Sequence, residues 1–405
     1  MACLQGKHVL VGISGGIAAY KIPELIRLLV KQGADVRVTT TANALHFVTE
    51  LTLRTLSGHE VYSDVFAAVN AHSTEHISLP DWADVMLVAP ATENVLCKMA
   101  TGIADDALTT TIAASVARIP VVVAPAMNDK MYDNPATQNA LRTLSSWKGL
   151  TVLDCAEGFL ACGTTGKGRM QEIDVLLEAV IAALTPKTML GKHVLLTAGP
   201  TREPLDPVRY LSNYSTGKMG YALARECLRR GAEVTLVSGP CTASLEGIAA
   251  HPCLHFVPVQ TAAEMYQAAM DAWHVADCAI LSAAVADFTP VEVAEQKRKK
   301  VAGQTTMALQ LTLTHDIAAE LGHAKRPGQQ LIGFALETEH EQDNALKKLR
   351  DKNLDMIVLN SLRDAGAGFG CDTNKVTLLR ADGSRTELPL MDKQEVAAAI
   401  LAVMA

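Results

Sequence analysis

The segment YLSNYSTGKMG, residues 210–220, carries a Gly-Lys pair after small polar residues, as a phosphate-binding loop does. Met219, however, stands where that motif has Ser or Thr, so the segment does not complete it. The preceding TAGPTREPLDPVRY, residues 197–210, adds Gly, Pro, Arg and Asp directly after the apolar run HVLL. These residue types predict a ligand-binding loop rather than a simple connection.

A second candidate site lies at GISGGIAAYK, near the N-terminus. Ser14, Gly15, Gly16 and Ile17 stand at the expected start of a helix, where free N–H groups and the helix dipole favour a phosphate. The turn lacks the GxGxxG pattern, and no acidic residue ends the second strand to bind a ribose. The segment TTTAN, ending at Asn43, adds hydroxyl and amide groups, so a mononucleotide such as FMN fits better than NAD. A tight strand-to-helix turn without a ligand explains these residues equally well.

The elements that position these loops recur in the two halves of the chain. GKHVLVGISGG is matched by GKHVLLTAGPT, QGADVRVTTT by RGAEVTLVSGP, and WADVMLVAPAT by VADCAILSAAVAD. Apolar strands alternating with helices predict two Rossmann-like α/β domains, each with a mostly parallel, doubly wound sheet. We place the domains at residues 1–190 and 191–405, because LTPKTMLGK interrupts the pattern between them.

Composition limits the class of protein. The chain has 405 residues, of which 49% are hydrophobic and 20% charged, enough for two or more cores. A net charge of -7 argues against a nucleic-acid partner. Since apolar runs stay below the roughly 18 residues of a membrane span and the N-terminus lacks a signal-peptide pattern, we expect a cytoplasmic protein without membrane contact. Nine cysteines without a CxxC pair fit neither a disulfide framework nor a zinc site.

Several motifs carry a resemblance to a known family. HISLPDWAD, VVVAPAMNDKMY and ACGTTGKGRM are similar to the His, PAMN and Cys-flap motifs of flavin-dependent cysteine decarboxylases. TREPLDPVRYLSNYSTGKMG is similar to a ligase motif of the fused form. From about residue 5 to about residue 400, the chain resembles the bifunctional coenzyme A biosynthesis family, which joins phosphopantothenoylcysteine decarboxylase to phosphopantothenate-cysteine ligase.

For the second half, the resemblance implies that CTP, with Mg²⁺, activates 4'-phosphopantothenate as an acyl-cytidylate, which cysteine then attacks. Asn213 is expected to hold this intermediate, although an N-cap or turn role explains an Asn there equally simply. Ser215, Thr216 and Gly217, which open a helix, are expected to receive a phosphate. The residues implied in CTP binding are Ser282, Ala283, Asp287, Lys297, Thr314, His315, Asp316, Ile317, Phe334, Lys348 and Lys352.

Two of these assignments stay open in the sequence. A run such as QKRKK around Lys297 is usually a solvated face, but because it follows AVADFTP it is expected to form a mobile lid that meets the triphosphate. The choice among Lys297 to Lys300 is not fixed. His315 stands where the family usually has Pro, which leaves the shape of that loop undetermined.

For the first half, the resemblance implies an FMN-dependent decarboxylation in which oxidation of the substrate thiol to a thioaldehyde creates the electron sink for CO₂ loss. His76 is the implied base, Asn128 the residue that binds the substrate carboxylate, and Cys162 a proton donor. Glycines around Cys162 would let its loop act as a flap over the flavin. The implied FMN contacts are Gly15, Gly16, Ile17, Thr41, Ala42, Asn43, Thr92, Glu93, Asn94, Val95 and Ala126.

Simpler roles exist for some of these residues. His76 is equally compatible with a surface histidine, as is His72 nearby, and Asn128 with a turn or cap. Asp105 and Asp106 are expected to cap the helix that follows them.

Two other functions remain in competition at this point, a dehydrogenase with two Rossmann-type domains and a flavin-binding subunit without catalysis. The absorption spectrum of the purified protein would separate the first from a flavoprotein. The family resemblance also implies trimers of the first domain and dimers of the second, assembled as a dodecamer, with FMN at a subunit interface.

Overall fold

The computed structural model describes residues 3–66, 74–159, 163, 165–299, 305–337, 339–361, 366, 368 and 370–404. The chain divides into two compact units, Met1–Pro186 and Lys187–Ala405. Among the described residues, no helix combines the length and the apolar composition needed to cross a bilayer.

The first unit alternates strands and helices along the chain. Its strands are β1 (His8–Ile13), β2 (Asp35–Thr40), β3 (Val61–Tyr62), β4 (Val85–Ala91), β5 (Val121–Pro125), β6 (Leu150–Val152), β7 (Ala156–Phe159) and β8 (Thr165–Arg169). Its α-helices are α1 (Ile22–Lys31), α2 (Glu50–Ser57), α3 (Glu75–Trp82), α4 (Glu93–Thr101), α5 (Ala107–Ser115), α6 (Asp129–Tyr132), α7 (Pro135–Ser145) and α8 (Ile173–Leu184). Two 3-10 helices, Ile17–Lys21 and Ala42–His46, follow β1 and β2.

The main sheet of the first unit is parallel, with the strand order β3-β2-β1-β4-β5-β6. All seven residues of β4 are buried, as expected for a central strand covered on both faces. Strands β2 and β3 lie on one side of β1, and strands β4, β5 and β6 lie on the other, so the strand order reverses between β1 and β4. A crevice is expected beyond the carboxyl ends of these two strands. Strands β7 and β8 form a separate antiparallel hairpin.

The second unit repeats this plan with additional short strands. Its strands are β9 (His193–Ala198), β10 (Arg202–Pro204), β11 (Tyr210–Ser212), β12 (Glu233–Ser238), β13 (Leu254–Pro258), β14 (Cys278–Leu281), β15 (Phe288–Pro290), β16 (Leu311–Leu313), β17 (Gln330–Glu337), β18 (Met356–Ser361), β19 (Thr373–Asn374), β20 (Val376–Arg380), β21 (Arg385–Glu387) and β22 (Met391–Asp392). Its helices are α9 (Lys218–Arg229), α10 (Ala262–Trp273), α11 (Ile317–His323), α12 (Glu341–Asp351) and α13 (Lys393–Ala402).

The main sheet of the second unit has the order β13-β12-β9-β14-β17-β18-β20-β21, and only the pairings of β20 are antiparallel. The predicted fold class, two mostly parallel α/β sheets, is therefore confirmed.

The predicted repeat also extends to side-chain contacts. The His8 N–H donates to Asp84 Oδ2 at 2.8 Å, and the His193 N–H donates to Asp277 Oδ2 at 2.8 Å. Asp84, just before β4, thus fixes the start of β1, and Asp277, just before β14, fixes the start of β9 in the same way.

Candidate active sites

The first unit has a cavity of about 1130 Å³ at the carboxyl ends of β1, β2 and β4. Its position beyond the reversal of strand order is the one expected for a ligand in such a sheet. All of the predicted FMN contacts line it except Glu93: Gly15, Gly16, Ile17, Thr41, Ala42, Asn43, Thr92, Asn94, Val95 and Ala126.

The turn after β1 is tied to the end of β4. The buried Ser14 hydroxyl donates to the Pro90 carbonyl at 2.6 Å, and its oxygen accepts from the Thr92 N–H at 3.1 Å. A Cβ on Gly15 would lie 2.5 Å from Asn43 Cβ and 3.0 Å from the Asn43 carbonyl carbon. Only glycine therefore allows the turn to approach the segment after β2 this closely.

Three helix starts face the cavity. Gly16, Thr41 and Thr92 are the N-cap residues of two 3-10 helices and α4, their backbones are extended, and no side chain caps these helices. The buried Thr41 Oγ1 has no hydrogen-bond partner among the described residues. Uncapped N–H groups and an unused buried hydroxyl fit the phosphate of a mononucleotide.

Asn128 lines the same cavity, where it caps the short helix α6. Its Oδ1 accepts from the Lys130 N–H at 2.9 Å, so the simpler capping role exists as well. Beside it, the Met127 N–H donates to the Gly168 carbonyl at 2.9 Å, and a Cβ on Gly168 would lie 2.5 Å from Met127 O. Glycine thus lets the β7–β8 hairpin, the predicted flap, pack directly on the PAMN segment. Cys162 lies outside the described residues.

His76 lies in α3 and is half-buried. It is not among the residues that line the cavity of its own chain. Its role as the base stays a prediction. His72 lies outside the described residues.

The second unit has a smaller cleft, of about 200 Å³, between the start of α9 and the ends of β14 and β17. Six predicted residues line it: Ser215, Thr216, Gly217, Ser282, Ala283 and Phe334. Gly217 is the N-cap of α9 with φ of 77°, a left-handed conformation that favours glycine. The Gly-Lys pair thus opens a helix after the short strand β11, not after a strand of the main sheet as in a phosphate-binding loop of the P-loop type.

Asn213 connects the two loops that border this cleft. Its Nδ2 donates to the Ala284 carbonyl at 2.9 Å and to the Val285 carbonyl at 3.2 Å. Since Gly217 holds the N-cap position, the alternative N-cap role of Asn213 is wrong. The amide instead fixes the segment before α9 against the loop after β14.

Comparisons with known proteins match both units of the chain. The family model "Flavoprotein" matches residues 2–185, and "DNA/pantothenate metabolism flavoprotein C-terminal domain" matches residues 189–405. The coenzyme A biosynthesis bifunctional protein CoaBC of Bacillus subtilis (strain 168) is 48% identical over 402 residues, which are 98% of this chain and 96% of that protein. The chain belongs to this bifunctional coenzyme A biosynthesis family.

Other relatives carry different names or cover one half. A cysteine/cysteine sulfinic acid decarboxylase of an unknown prokaryotic organism is 46% identical over 359 residues, or 87% of this chain and 98% of that protein. The crystal structure of the C-terminal domain of a CoaBC protein is 42% identical and covers 53% of this chain and 95% of that one, with a TM-score of 0.44.

The loops implied by the family to bind CTP are fixed to one another. The Thr314 N–H donates to the Asp287 carbonyl at 3.0 Å, and the Thr314 hydroxyl donates to the Ala286 carbonyl at 2.7 Å. His315, at the position where the family usually has Pro, stacks on Tyr266 with ring centroids 4.4 Å apart. The stack packs this loop against α10. These residues do not line the 200 Å³ cleft.

The predicted lysines differ in their partners. Lys352 pairs with Asp316 at 2.8 Å, and Lys348 pairs with Glu337 at 2.6 Å. Burial has the largest single effect on the pKa of Asp316 and raises it. The hydrogen bond and the charge of Lys352, together with hydrogen bonds from the Ala318 and Ala319 N–H groups, outweigh this effect and hold the pKa below its usual value. Lys297 is exposed, and no ion pair to another described residue is seen for it.

The adjacent acids Asp105 and Asp106 have separate roles. Asp106 caps α5, accepting from the Thr109 N–H at 2.8 Å. The expectation that Asp105 also caps this helix is wrong, because its carboxylate binds Lys98 Nζ at 2.6 Å. Hydrogen bonding between them lowers the pKa of Asp105 and raises that of Lys98.

Several charged residues of both sites escaped the sequence analysis. Lys21, Lys98 and Arg169 line the large cavity. The sequence offered one signal for Lys21, which follows the Gly-rich turn by about one helical turn, and one for Arg169, which lies within the flap motif.

In the cleft of the second unit, two cations have no role predicted from the sequence: Lys218, the lysine of the Gly-Lys pair, and Lys393. Lys218 Nζ pairs with Asp372 Oδ1 at 2.6 Å, and Lys393 Nζ donates to the Gly368 carbonyl at 3.1 Å. Lys393 is only 7% exposed, and burial lowers its pKa. The two lysines thus hold Gly368 and Asp372 beside the cleft.

Proposed function

We propose that the chain ligates 4'-phosphopantothenate to cysteine with CTP in its second unit and decarboxylates the product, 4'-phosphopantothenoylcysteine, with FMN in its first. This makes it an acid-amino-acid ligase and a carboxy-lyase of coenzyme A biosynthesis. The observation that carries the proposal is the large cavity of the first unit, where the Gly-rich turn, the segment after β2, the start of α4 and Asn128 meet. These residues fit a mononucleotide, which separates the proposal from a dinucleotide-dependent dehydrogenase.

In the decarboxylase half, Gly16, Thr41 and Thr92 would hold the phosphate of FMN with the N–H groups that follow them. Bound FMN supplies the two-electron chemistry that oxidises the substrate thiol. The Asn128 amide would orient the substrate carboxylate, His76 would exchange a proton with the substrate, and Cys162 would donate one after CO₂ has left. The β7–β8 hairpin would exclude water from the reacting atoms.

In the ligase half, the start of α9 and the loop after β14 would receive the reacting phosphates, and Asn213 would keep these two segments in register around the acyl-cytidylate. Lys297, Lys348 and Lys352 would neutralise the triphosphate. Within the described part of the chain, no group of three or more His, Cys, Asp or Glu side chains is arranged to hold a metal ion. Mg²⁺ would therefore enter with the CTP phosphates.

We also propose the oligomer that the family resemblance implies. Trimers of the first unit and dimers of the second, joined as a dodecamer, would place FMN where two copies meet. The position of His76 outside the cavity of its own chain supports such an arrangement.

Replacing His76 with Asn should stop decarboxylation while FMN stays bound and the ligase remains active. The imidazole exchanges protons near neutral pH, whereas the amide of Asn does not. The measurement supplies 4'-phosphopantothenate, cysteine and CTP, and separates the products by mass. Wild-type protein should form 4'-phosphopantetheine, and His76→Asn should accumulate 4'-phosphopantothenoylcysteine. Unchanged CO₂ release would remove His76 from its role.

A subunit-mixing experiment provides the control for this variant. His76→Asn and Asn128→Asp chains are unfolded together and refolded as mixed oligomers. If each site takes His76 from one copy and Asn128 from another, some mixed sites are intact and activity returns. A mixture as inactive as its components would contradict a shared site.

Separate domains predict that the ligase unit works alone. The Lys187 ammonium donates to the Arg229 carbonyl at 2.6 Å and the Met189 N–H to the Arg230 carbonyl at 3.0 Å, so the fragment should start at residue 187. We expect residues 187–405 to consume CTP and join cysteine to 4'-phosphopantothenate at a rate close to that of the full chain. A folded fragment without ligase activity would show that the two halves depend on each other.

A further inference from the structure

Two cations of the large cavity share one carboxylate. Lys21 Nζ lies 3.2 Å from Glu172 Oε2, and Arg169 Nη2 pairs with Glu172 Oε1. Lys21 ends the 3-10 helix after the Gly-rich turn, and Arg169 ends β8 of the hairpin. The shared carboxylate therefore brings together two positive groups from distant parts of the chain.

Burial and charge make this end of the cavity attractive to an anion. The Lys21 side chain is only 15% exposed, whereas Glu172 is 52% exposed and open to exchange with solvent. One carboxylate neutralises one of the two cations, which leaves a net positive charge beside the cavity. A half-buried positive charge is screened less than an exposed one and binds anions more strongly.

The net charge around the third lining cation, Lys98, has the opposite sign. Lys98 lies against two carboxylates, those of Asp105 at 2.6 Å and Asp106 at 3.5 Å. The charge beside Lys98 is therefore net negative. The cavity is electrically asymmetric, and an elongated ligand with one anionic end is oriented by that difference.

We propose that Lys21 and Arg169 form a subsite for a phosphomonoester, that of the decarboxylase substrate. This inference rests on the proposed function, in which both FMN and the substrate carry a phosphomonoester. The uncapped helix starts at Gly16, Thr41 and Thr92 would bind one of these two phosphates, that of FMN. Lys21 and Arg169 would bind the second, the phosphate of the substrate, because Arg binds phosphate through two N–H groups and Lys adds a point charge.

The test compares phosphorylated and unphosphorylated ligands on the FMN-loaded protein. Binding of 4'-phosphopantetheine and of pantetheine is titrated by the change in flavin absorbance, for wild type, Lys21→Met and Arg169→Met. Each variant should bind 4'-phosphopantetheine roughly 10- to 100-fold more weakly, the size of a lost hydrogen bond to a charged group. Binding of pantetheine should change less than about twofold, since this ligand has no phosphate to lose a contact.

Lys31→Met is the matched control. Lys31 is exposed at the end of α1 and lies outside the cavity lining, so this variant removes the same charge without touching the subsite. It should bind both ligands as wild type does. Equal losses in Lys31→Met and Lys21→Met would overturn the proposal by showing an effect of net charge alone.

A second titration separates the two sources of phosphate. The apoprotein variants are titrated with FMN and with riboflavin. If Lys21→Met and Arg169→Met weaken FMN but not riboflavin, and leave the preference for 4'-phosphopantetheine intact, the cations bind the phosphate of FMN and the substrate subsite is overturned. A wild-type protein that binds 4'-phosphopantetheine and pantetheine equally would overturn the subsite alone. A flavin spectrum that responds to neither ligand would overturn the decarboxylase proposal with it.

Discussion

Alanine at Gly15 is expected to weaken FMN binding by roughly 10- to 100-fold while the ligase activity of the same chain is kept. The added methyl group would lie 2.5 Å from Asn43 Cβ and 3.0 Å from a backbone atom of the same residue. Overpacking of this kind costs about 1–3 kcal/mol, and every 1.4 kcal/mol is tenfold in affinity. The strain falls on two of the segments proposed to hold FMN, so a large share of it should appear as lost affinity.

The measurement is FMN binding to apoprotein, followed by the quenching of flavin fluorescence. Gly12→Ala is the matched control, because it adds a methyl group in β1 that would lie 2.5 Å from Cδ1 of the buried Leu108 side chain, away from the segments proposed to hold FMN. It should bind FMN far better than Gly15→Ala at a similar melting temperature. If Gly15→Ala binds FMN as wild type does, the turn after β1 is not part of the flavin site.

The sequence was sufficient to predict the elements and most of the large cavity, for a local reason. Each strand of the repeat is a short apolar run followed by small or polar residues, and the carboxyl ends of parallel strands meet at one edge. Thr41 and Thr92 directly follow β2 and β4, and Gly15 lies two residues after the end of β1. Their convergence is therefore dictated by topology, and no side-chain detail was needed.

The errors arise where a contact depends on backbone direction or on distant residues. Asp105 and Asp106 are chemically alike, but Asp106 has the extended conformation of an N-cap while Asp105 meets Lys98. Nothing in the local sequence distinguishes them. Lys393 lies far along the chain from the start of α9 and reaches the same cleft only through the fold of the second unit.

His76 shows a different limit. A motif indicates that a residue takes part in chemistry but not in which copy of the chain it acts. A single chain contains the motif, the helix α3 and the cavity without bringing them together. The subunit-mixing experiment is informative for this reason.

Removing the charge of Lys297 should slow the first step of the ligase reaction, activation by CTP, more than the second step, attack by cysteine. Activation brings a carboxylate against a triphosphate, so a cation directed at the developing charge stabilises that step most. Lys348 and Lys352 already pair with Glu337 and Asp316, whereas Lys297 is exposed without an ion pair to a described residue. It is therefore the predicted lysine most available to the phosphates. Cysteine attack on the finished acyl-cytidylate meets an activated carbonyl and should depend on it less.

We therefore expect Lys297→Gln to slow pyrophosphate release from CTP by roughly 100-fold or more, the size of the loss when one preorganised transition-state donor is removed. The release is measured with and without cysteine, after circular dichroism has confirmed folding. Asn213→Ala should instead release pyrophosphate but pass the intermediate to cysteine poorly, because its amide ties the two segments that would surround the acyl-cytidylate. Lys299→Gln, two residues along the same exposed run, is the matched control and should stay close to wild type. If Lys297→Gln forms acyl-cytidylate at the wild-type rate and Lys299→Gln does not, the contact to the triphosphate belongs to Lys299, and the lid is assigned to the wrong lysine.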